Sequence, residues 1–211
     1  MTNRTRAIVT FSLFASRPEF HVLLQKHAEH AKFLAEVTFE ELYECAVQSY
    51  LFAGFPAALE AVRAINRVWS IRGNHAEVNF AEEEARIRKE ANMYAKYLER
   101  GDALYHVVYG ANAGVVKQGL LRMSPELAGW AVTEGYGKTL SRSGLDTVTR
   151  ELAIVAMLTQ LGWDRQLYSH IIGARNVGAS RNEIHEAITI GAYSNNAKED
   201  FGLALLERLH A

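Results

Sequence analysis

The sequence predicts an all-α protein. Only three prolines occur in 211 residues, runs of β-branched residues are few, and apolar residues recur at helical spacing along most of the chain. Hydrophobic residues make up 49% of the chain and charged residues 22%, which is ordinary for a globular domain. The short segments between the periodic stretches favour a bundle of antiparallel helices.

Capping patterns mark where the predicted helices begin and end. Thr38 and Ser180 are each followed three residues later by a glutamate, as in a capping box, and Ser124 precedes a proline. Glycines indicate helix ends or turns at Gly54, Gly101, Gly144, Gly162 and Gly178. The predicted helices span 5–14, 17–34, 39–52, 56–70, 80–99, 103–121, 125–141, 147–161, 164–177, 181–193 and 197–209.

Two stretches of the chain resemble each other. Residues 37–44 align with residues 179–186, including the capping pattern, and His27 aligns with His170 after small gaps. Chance similarity between amphipathic helices is the alternative, but the shared caps and histidine favour an internal duplication. The prediction is a first copy at 1–70, a helical connecting segment at 71–145 and a second copy at 146–211.

Charge and cysteine content narrow the class of protein. The formal net charge of −1 argues against capture of nucleic acid or of an anionic membrane surface. No apolar run approaches the roughly 18 residues of a membrane span. The single cysteine, Cys45, excludes an internal disulfide. We therefore predict a cytoplasmic protein that binds neither nucleic acid nor membranes.

The most informative stretch runs from Thr149 to Gly178, where two predicted helices fold back on each other at Gly162. Glu151 lies near the start of the first helix and His170 lies on the second. A hairpin symmetric about the turn places these side chains ~6 Å apart along the axis, within reach of each other directly or through one water. Such a pair is typical of general acid–base chemistry and also of a structural hydrogen bond between buried groups. Spacing alone favours the structural interpretation.

The residues around this hairpin resemble the carboxymuconolactone decarboxylase family of the alkylhydroperoxidase-D-like (AhpD-like) superfamily. The matching positions are Ser141–Asp146, Thr149–Leu152, Leu161–Gly162, Gln166–Leu167, His170, Gly173–Ala174, Asn176, Gly178 and Asn182–Ile184. In the first copy, Glu40–Leu42 followed by Ala53–Ala58 resembles another part of the family pattern. The resemblance implies an AhpD-like helical bundle, here internally duplicated, and a homo-oligomer that is a trimer or is built from dimers.

The superfamily has two chemical branches, and the residues between Glu151 and His170 separate them. The peroxidase-like branch places a C-x-x-C pair there, whereas this chain has Trp163 and Gln166 at the cysteine positions. Neither side chain forms a thiolate, so alkylhydroperoxidase or peroxiredoxin-like chemistry is disfavoured. Cys45 stands on an apolar helical pattern in the other copy, which is typical of a buried structural cysteine.

The decarboxylase branch needs no thiol. The resemblance implies a carboxy-lyase of aromatic-compound catabolism, without metal or other cofactor, whose small-molecule substrate is a carboxylated lactone. In that interpretation His170 donates a proton to the substrate, while Glu151 orients the imidazole or relays the proton. A non-catalytic helical oligomer that has kept only the scaffold is a further hypothesis.

Four other residues are predicted to contact the substrate. Arg142 and Arg150 carry guanidinium groups suited to a planar oxyanion. A helix-end salt bridge is the alternative for both arginines, and it is favoured for Arg150. Trp163 and Gln166 are placed to line a pocket, with core packing as the alternative for Trp163. The first copy has Thr5–Ala7 where the pattern expects Arg-Glu-Leu. We therefore expect it to line the pocket of the second copy and not to hold a second active site.

Overall fold

A computed structural model describes residues 1–69, 80–89, 92–193 and 195–209, and in these ranges the regular secondary structure is helical, with no strand. The all-α prediction is therefore confirmed. Residues 70–79, where the first predicted domain boundary falls, lie outside the described residues. No helix in the described ranges combines the length and apolarity needed to cross a membrane. The helices are α1 (Asn3–Ala15), α2 (His21–Phe33), α3 (Phe39–Gln48), α4 (Tyr50–Ala53), α5 (Phe55–Trp69), α6 (Phe80–Lys89), α7 (Met93–Tyr109), α8 (Ala113–Met123), α9 (Pro125–Trp130), a π-helix (Ala131–Leu140), α10 (Thr147–Leu161), α11 (Asp164–Asn176), α12 (Arg181–Ala192) and α13 (Asn196–Glu207).

The core consists of two apolar clusters that meet at α10. One cluster is built mainly from α1, α2, α3 and α5, and the other from α7, the π-helix and α10 to α13. Every residue of α10 from Thr149 to Gln160 is buried, and the helix packs against α1, α11 and α12. A helix buried on all sides is held in place by its neighbours over its whole length. Polar groups on α10 therefore have fixed positions with little access to water.

Local capping fixes the ends of the helices as predicted. The hydroxyls of Thr38 and Ser180 accept hydrogen bonds from backbone N–H groups three residues on, and the glutamates at those positions complete both capping boxes. Asp146 caps α10 by accepting from the backbone N–H of Thr149 at 2.9 Å. Four of the five predicted turn glycines have positive φ: Gly54, Gly144, Gly162 and Gly178.

The prediction that a helix ends at Gly101 is wrong. Helix α7 continues through Gly101 to Tyr109, where it passes very close to the π-helix. A Cβ atom on Gly101 would overlap a backbone oxygen of the π-helix, and one on Gly137 would overlap the backbone oxygen of Tyr97. These glycines are therefore required for close packing between two helices and not for a turn.

The single helix predicted over 125–141 is instead a short α-helix followed by the π-helix. The backbone N–H of Ser141 donates to the carbonyl of Tyr136, five residues back, at 2.9 Å. The wider turn carries Tyr136 into the core against Tyr105 and Tyr109. Turns of this kind often occur next to functional sites.

Candidate functional site

Glu151 and His170 form a buried hydrogen-bonded pair between α10 and α11. The two helices are joined at Gly162, which takes the left-handed conformation at the end of α10. His170 Nδ1 lies 2.8 Å from Glu151 Oε2, and the two residues are 7% and 2% exposed. Because a carboxylate accepts this bond, Nδ1 carries the hydrogen. The second ring nitrogen, Nε2, makes no hydrogen bond to the described residues and is the nitrogen left for proton exchange.

Gly173 makes room for the carboxylate of Glu151. It lies on α11 about one turn after His170, and a Cβ there would come within 2.9 Å of Glu151 Oε2 and 2.7 Å of Val108 Cγ1. Both contacts are closer than a real Cβ atom tolerates, so any side chain at this position would push the carboxylate aside. The absence of a side chain at Gly173 therefore leaves the space beside α11 that the Glu151 carboxylate occupies.

Residues from all three predicted segments surround the pair. Phe52 on α4 presents its ring edge-on to the imidazole of His170, with ring centroids 5.3 Å apart. Val108 comes from α7, in the predicted connecting segment, and packs against Gly173. The predicted first copy therefore supplies part of the wall around the imidazole of the second.

Three tyrosines on α7 and the π-helix pack together, and two of them, Tyr109 and Tyr136, lie near Glu151. The rings of Tyr105 and Tyr136 lie 5.1 Å apart, and those of Tyr109 and Tyr136 lie 5.9 Å apart. Burial raises the pKa of Tyr136 well above its usual range, and the negative charges around it, that of Glu151 among them, raise it further. The pKa of Tyr109 is raised by burial as well, with a further contribution from Glu151. Both phenols therefore keep their protons at physiological pH.

The two arginines predicted to bind substrate converge on another carboxylate, Glu44 of α3. Arg150 Nη2 lies 2.8 Å from Glu44 Oε2, and Arg142 Nη2 lies 2.8 Å from Glu44 Oε1. Arg150 is 2% exposed and also donates to the side chain of Gln48 and to the backbone oxygen of Leu145. Arg150 thus forms the helix-end salt bridge that was its predicted alternative, at the start of α10. Substrate binding by either arginine stays a prediction.

Trp163 and Gln166 are exposed at the beginning of α11. Trp163 is 58% exposed. Core packing, the alternative interpretation of this residue, is therefore wrong. Gln166 lies one helical turn before His170 on the same face of α11, and Trp163 immediately precedes the helix. Their contact with a substrate stays a prediction.

Cys45 lies in the core of the first apolar cluster and is 1% exposed. Burial raises the pKa of its thiol to about 12, although the positive charge of Arg150 acts in the opposite direction. Since the thiolate is the reactive form, this cysteine is inert in the folded protein at neutral pH.

We expect Cys45 to be unreactive towards a chromogenic aromatic disulfide at pH 8 in the folded protein. In denaturant the thiol regains an ordinary pKa, and one equivalent per chain should react quickly. Absorbance of the released thiolate measures both rates. A native reaction as fast as the denatured one would show that the thiol is accessible and ionised.

Two cavities among the described residues lie away from this pair. One of about 460 Å³ is formed by α1, α2 and α5, and another of about 400 Å³ lies beside α1 and α2, where His27 and His30 line it. Neither cavity is lined by Glu151 or His170. In the part of the chain that is described, no three His, Cys, Asp or Glu side chains converge as metal ligands would. We identify the candidate site by its chemistry, because a buried and orientated acid–base pair is more specific than a cavity.

Several residues of the site were not predicted from the sequence. Phe52, Tyr109 and Tyr136 come from elements distant along the chain, and nothing in their local pattern points to His170. Gly173 did carry a signal, because it lies within the family-like stretch about one turn after His170, in the interior of a predicted helix. A glycine facing a neighbouring helix at that position indicates close approach.

Comparison with known proteins gives a match to the region that contains this helical hairpin. Residues 126–208 match the family model described as the carboxymuconolactone decarboxylase family. This confirms the resemblance inferred from the hairpin. The match begins within the predicted connecting segment and does not extend to the first copy, so the duplication stays a prediction. Peroxisomal protein 2 of Schizosaccharomyces pombe is 27% identical over 153 residues, which cover 72% of this chain and 67% of that protein.

Proposed function

We propose that Glu151 and His170 form a proton-transfer site and that the protein is a cofactor-free decarboxylase of small carboxylated lactones. The observation that carries this proposal is the 2.8 Å hydrogen bond between the buried side chains, which uses Nδ1 and leaves Nε2 without a partner among the described residues. Nε2 is not fully buried, so it can exchange a proton with solvent or with a substrate. The family match over residues 126–208 supports the choice of reaction.

The proposed reaction replaces one carboxylate by one proton. The C–C bond to the substrate carboxylate breaks, carbon dioxide leaves, and the electron pair is delocalised into the conjugated lactone as an enolate. Nε2–H of the His170 imidazolium then protonates the ring carbon. Glu151 accepts the hydrogen bond from Nδ1–H throughout, so it holds the ring and stabilises the charged imidazolium. The imidazole regains its proton from solvent, and one proton is consumed per turnover.

The arrangement of α11 supports an approach from the protein surface. Gln166 and His170 lie on one face of α11, and the exposed Trp163 immediately precedes that helix. A substrate that enters along this face meets the aromatic ring and the amide before it reaches Nε2. Phe52 supplies an apolar edge beside the imidazole, where a conjugated ring can pack.

The test is carbon dioxide release from carboxymuconolactone by the purified protein. We expect turnover by the wild type, its loss in His170→Gln, and wild-type rates in His106→Gln, whose exposed histidine binds Asp102 on α7. No release by the wild type would refute the decarboxylase proposal, and equal rates in the wild type and His170→Gln would refute the site. Peroxide consumption that survives Cys45→Ser would instead favour a peroxidase without thiols.

The proposal includes assembly into a trimer or a dimer-based oligomer. Several large apolar side chains on α7 to α9 are at least half exposed, among them Val115 and Met123 at 75% and 74%. Exposed apolar residues concentrated on one region of a protein favour an interface. Light scattering behind a sizing column, repeated on Val115→Glu, tests this part separately. A monomeric wild type would contradict it.

The proposed compartment is the cytoplasm, where a single reduced cysteine is ordinary. The name of the fission-yeast relative places that protein in the peroxisome, which is the competing location for this chain. Fluorescence microscopy of a tagged chain in its own cell distinguishes the two.

A further inference from the structure

A cavity lies in the predicted first copy, and Arg17, one of its lining residues, donates to the backbone oxygen of Gln160 near the hairpin turn. This cavity of about 460 Å³ is enclosed by the end of α1, the segment leading into α2, and α5, and is here called the α5 cavity. Its volume is in the range of pockets that hold small organic molecules. Neither Glu151 nor His170 lines it, so the proposed proton-transfer site does not account for it.

Much of the wall of the α5 cavity is apolar and built from small side chains. Phe14 and Leu24 belong to the buried core, and their atoms reach the cavity from α1 and α2. The other apolar contacts come from α4 and α5, at Ala53, Pro56, Ala57 and Ala64. Because these four side chains are small, they do not fill the cavity. The apolar part of a ligand can pack against them.

The polar part of the wall carries an excess of positive charge. Arg17, Arg63 and Arg67 line the cavity, and among the described residues that line it Glu60 is the one carboxylate. Glu60 pairs with Arg63 at 2.5 Å. Arg17 makes a long ion pair of 3.8 Å with Glu19 and donates from Nη2 to the backbone oxygen of Gln160 at 3.2 Å. The cavity thus combines apolar walls with three guanidinium groups, whose positive charge exceeds the negative charge of the single lining carboxylate.

Two polar atoms of the lining residues are buried without a partner among the described residues. They are Nε of Arg17 and Oε1 of Gln25. The amide nitrogen of Gln25 donates to Glu29 at 3.2 Å, which fixes the orientation of the amide and leaves Oε1 free. A buried donor without an acceptor costs free energy, and a bound ligand is one way to satisfy it. An anionic oxygen satisfies the N–H of Arg17.

We infer that the α5 cavity binds an amphipathic organic anion. Its charged head contacts Arg17, with Arg67 adding charge at the rim, and its apolar body packs against the alanines of α5. Arginine suits this role because its guanidinium group donates to an oxyanion in a fixed plane. The site is distinct from the Glu151–His170 pair and does not depend on the reaction proposed there.

Titration calorimetry with octanoate and octan-1-ol tests this site. The two probes share an apolar chain and differ in the charge of the head, so octanoate should bind at one site per chain, about tenfold or more tighter than the alcohol. Arg17→Gln should remove most of that difference. Ala57→Phe fills the space at a partly exposed position and should abolish binding of both probes. Arg88→Gln, an exposed arginine of α6, is the matched control and should bind like the wild type.

Thermal unfolding of each variant, measured alongside, confirms that lost binding is not lost folding. Equal affinity for octanoate and octan-1-ol would overturn the assignment of an anionic head. Undiminished binding by a folded Ala57→Phe would overturn the location. Absence of heat from octanoate at millimolar concentration would overturn the site altogether. Carbon dioxide release in the assay of the proposed function is a separate readout, so failure of one proposal leaves the other standing.

Discussion

Replacing Glu44 with alanine should lower the free energy of unfolding by about 3–5 kcal/mol, the range expected when one partner of a buried ion pair is removed. Arg150 is 2% exposed, and its guanidinium group lies 2.8 Å from the Glu44 carboxylate, which is itself 4% exposed. Without that carboxylate a full positive charge stays in the core, at the first turn of the most deeply buried helix. Urea denaturation followed by circular dichroism measures the change.

Two further variants separate the buried charge from ion pairing in general. Glu60→Ala removes a pair with Arg63 in which both side chains are more than half exposed, and should change the free energy of unfolding by about 0–1 kcal/mol. The double variant Glu44→Leu with Arg150→Met removes both charges and should recover much of the lost stability. If Glu44→Ala proved as mild as Glu60→Ala, Arg150 would have another way to satisfy its charge.

The ends of helices that are determined by neighbouring residues in the sequence were predicted correctly. Helix α10 begins at Thr147 and ends at Leu161, as predicted, because Asp146 caps its start and Gly162 ends it in the left-handed conformation. The capping boxes at Thr38 and Ser180 were also predicted, since every atom of a capping box lies within four consecutive residues. Signals of this kind depend on neighbours along the chain and survive in any tertiary context.

Features that depend on contacts distant along the chain were not predicted. Gly101 has the residue type of a helix end, but its use is decided by the π-helix packed against it. The same packing decides that residues 131–140 form a π-helix, although their composition suits an ordinary helix. Glu44 and Arg150 are 106 residues apart, and neither carries a local sign of the other. Sequence periodicity indicates which face of a helix is buried, but not which buried partner it meets.

The candidate site combines both kinds of information. The turn at Gly162 limits where Glu151 and His170 can lie, so the sequence predicted their approach but left a catalytic and a structural role open. The structure adds the unpartnered Nε2 of His170, the edge of Phe52 and the space at Gly173. Each of these depends on a helix other than the hairpin or on close contact across it, which is why spacing alone could not separate the two roles.

Replacing Glu151 with glutamine should lower turnover of the proposed substrate by about 10²- to 10⁴-fold, the range attributed to general acid–base catalysis. The amide has nearly the volume of the carboxylate, and its oxygen still accepts a hydrogen bond from Nδ1 of His170. It carries no negative charge to stabilise the imidazolium, so the protonated form that donates from Nε2 is disfavoured. We therefore expect the variant to remain folded while proton transfer fails.

Steady-state carbon dioxide release and thermal unfolding, measured on the same preparations, distinguish catalysis from structure in Glu151→Gln. A catalytic role predicts a large fall in kcat with a small change in Tm, whereas a structural role predicts the reverse. Glu84→Gln, in an exposed pair with Arg88, is the control for loss of a carboxylate and should leave both unchanged. Gly173→Ala adds a methyl group within 2.9 Å of Glu151 Oε2 and should reduce kcat without altering either ionisable group. Turnover within about twofold of the wild type in both Glu151→Gln and Gly173→Ala would place the chemistry elsewhere, because general acid–base catalysis contributes at least about a hundredfold.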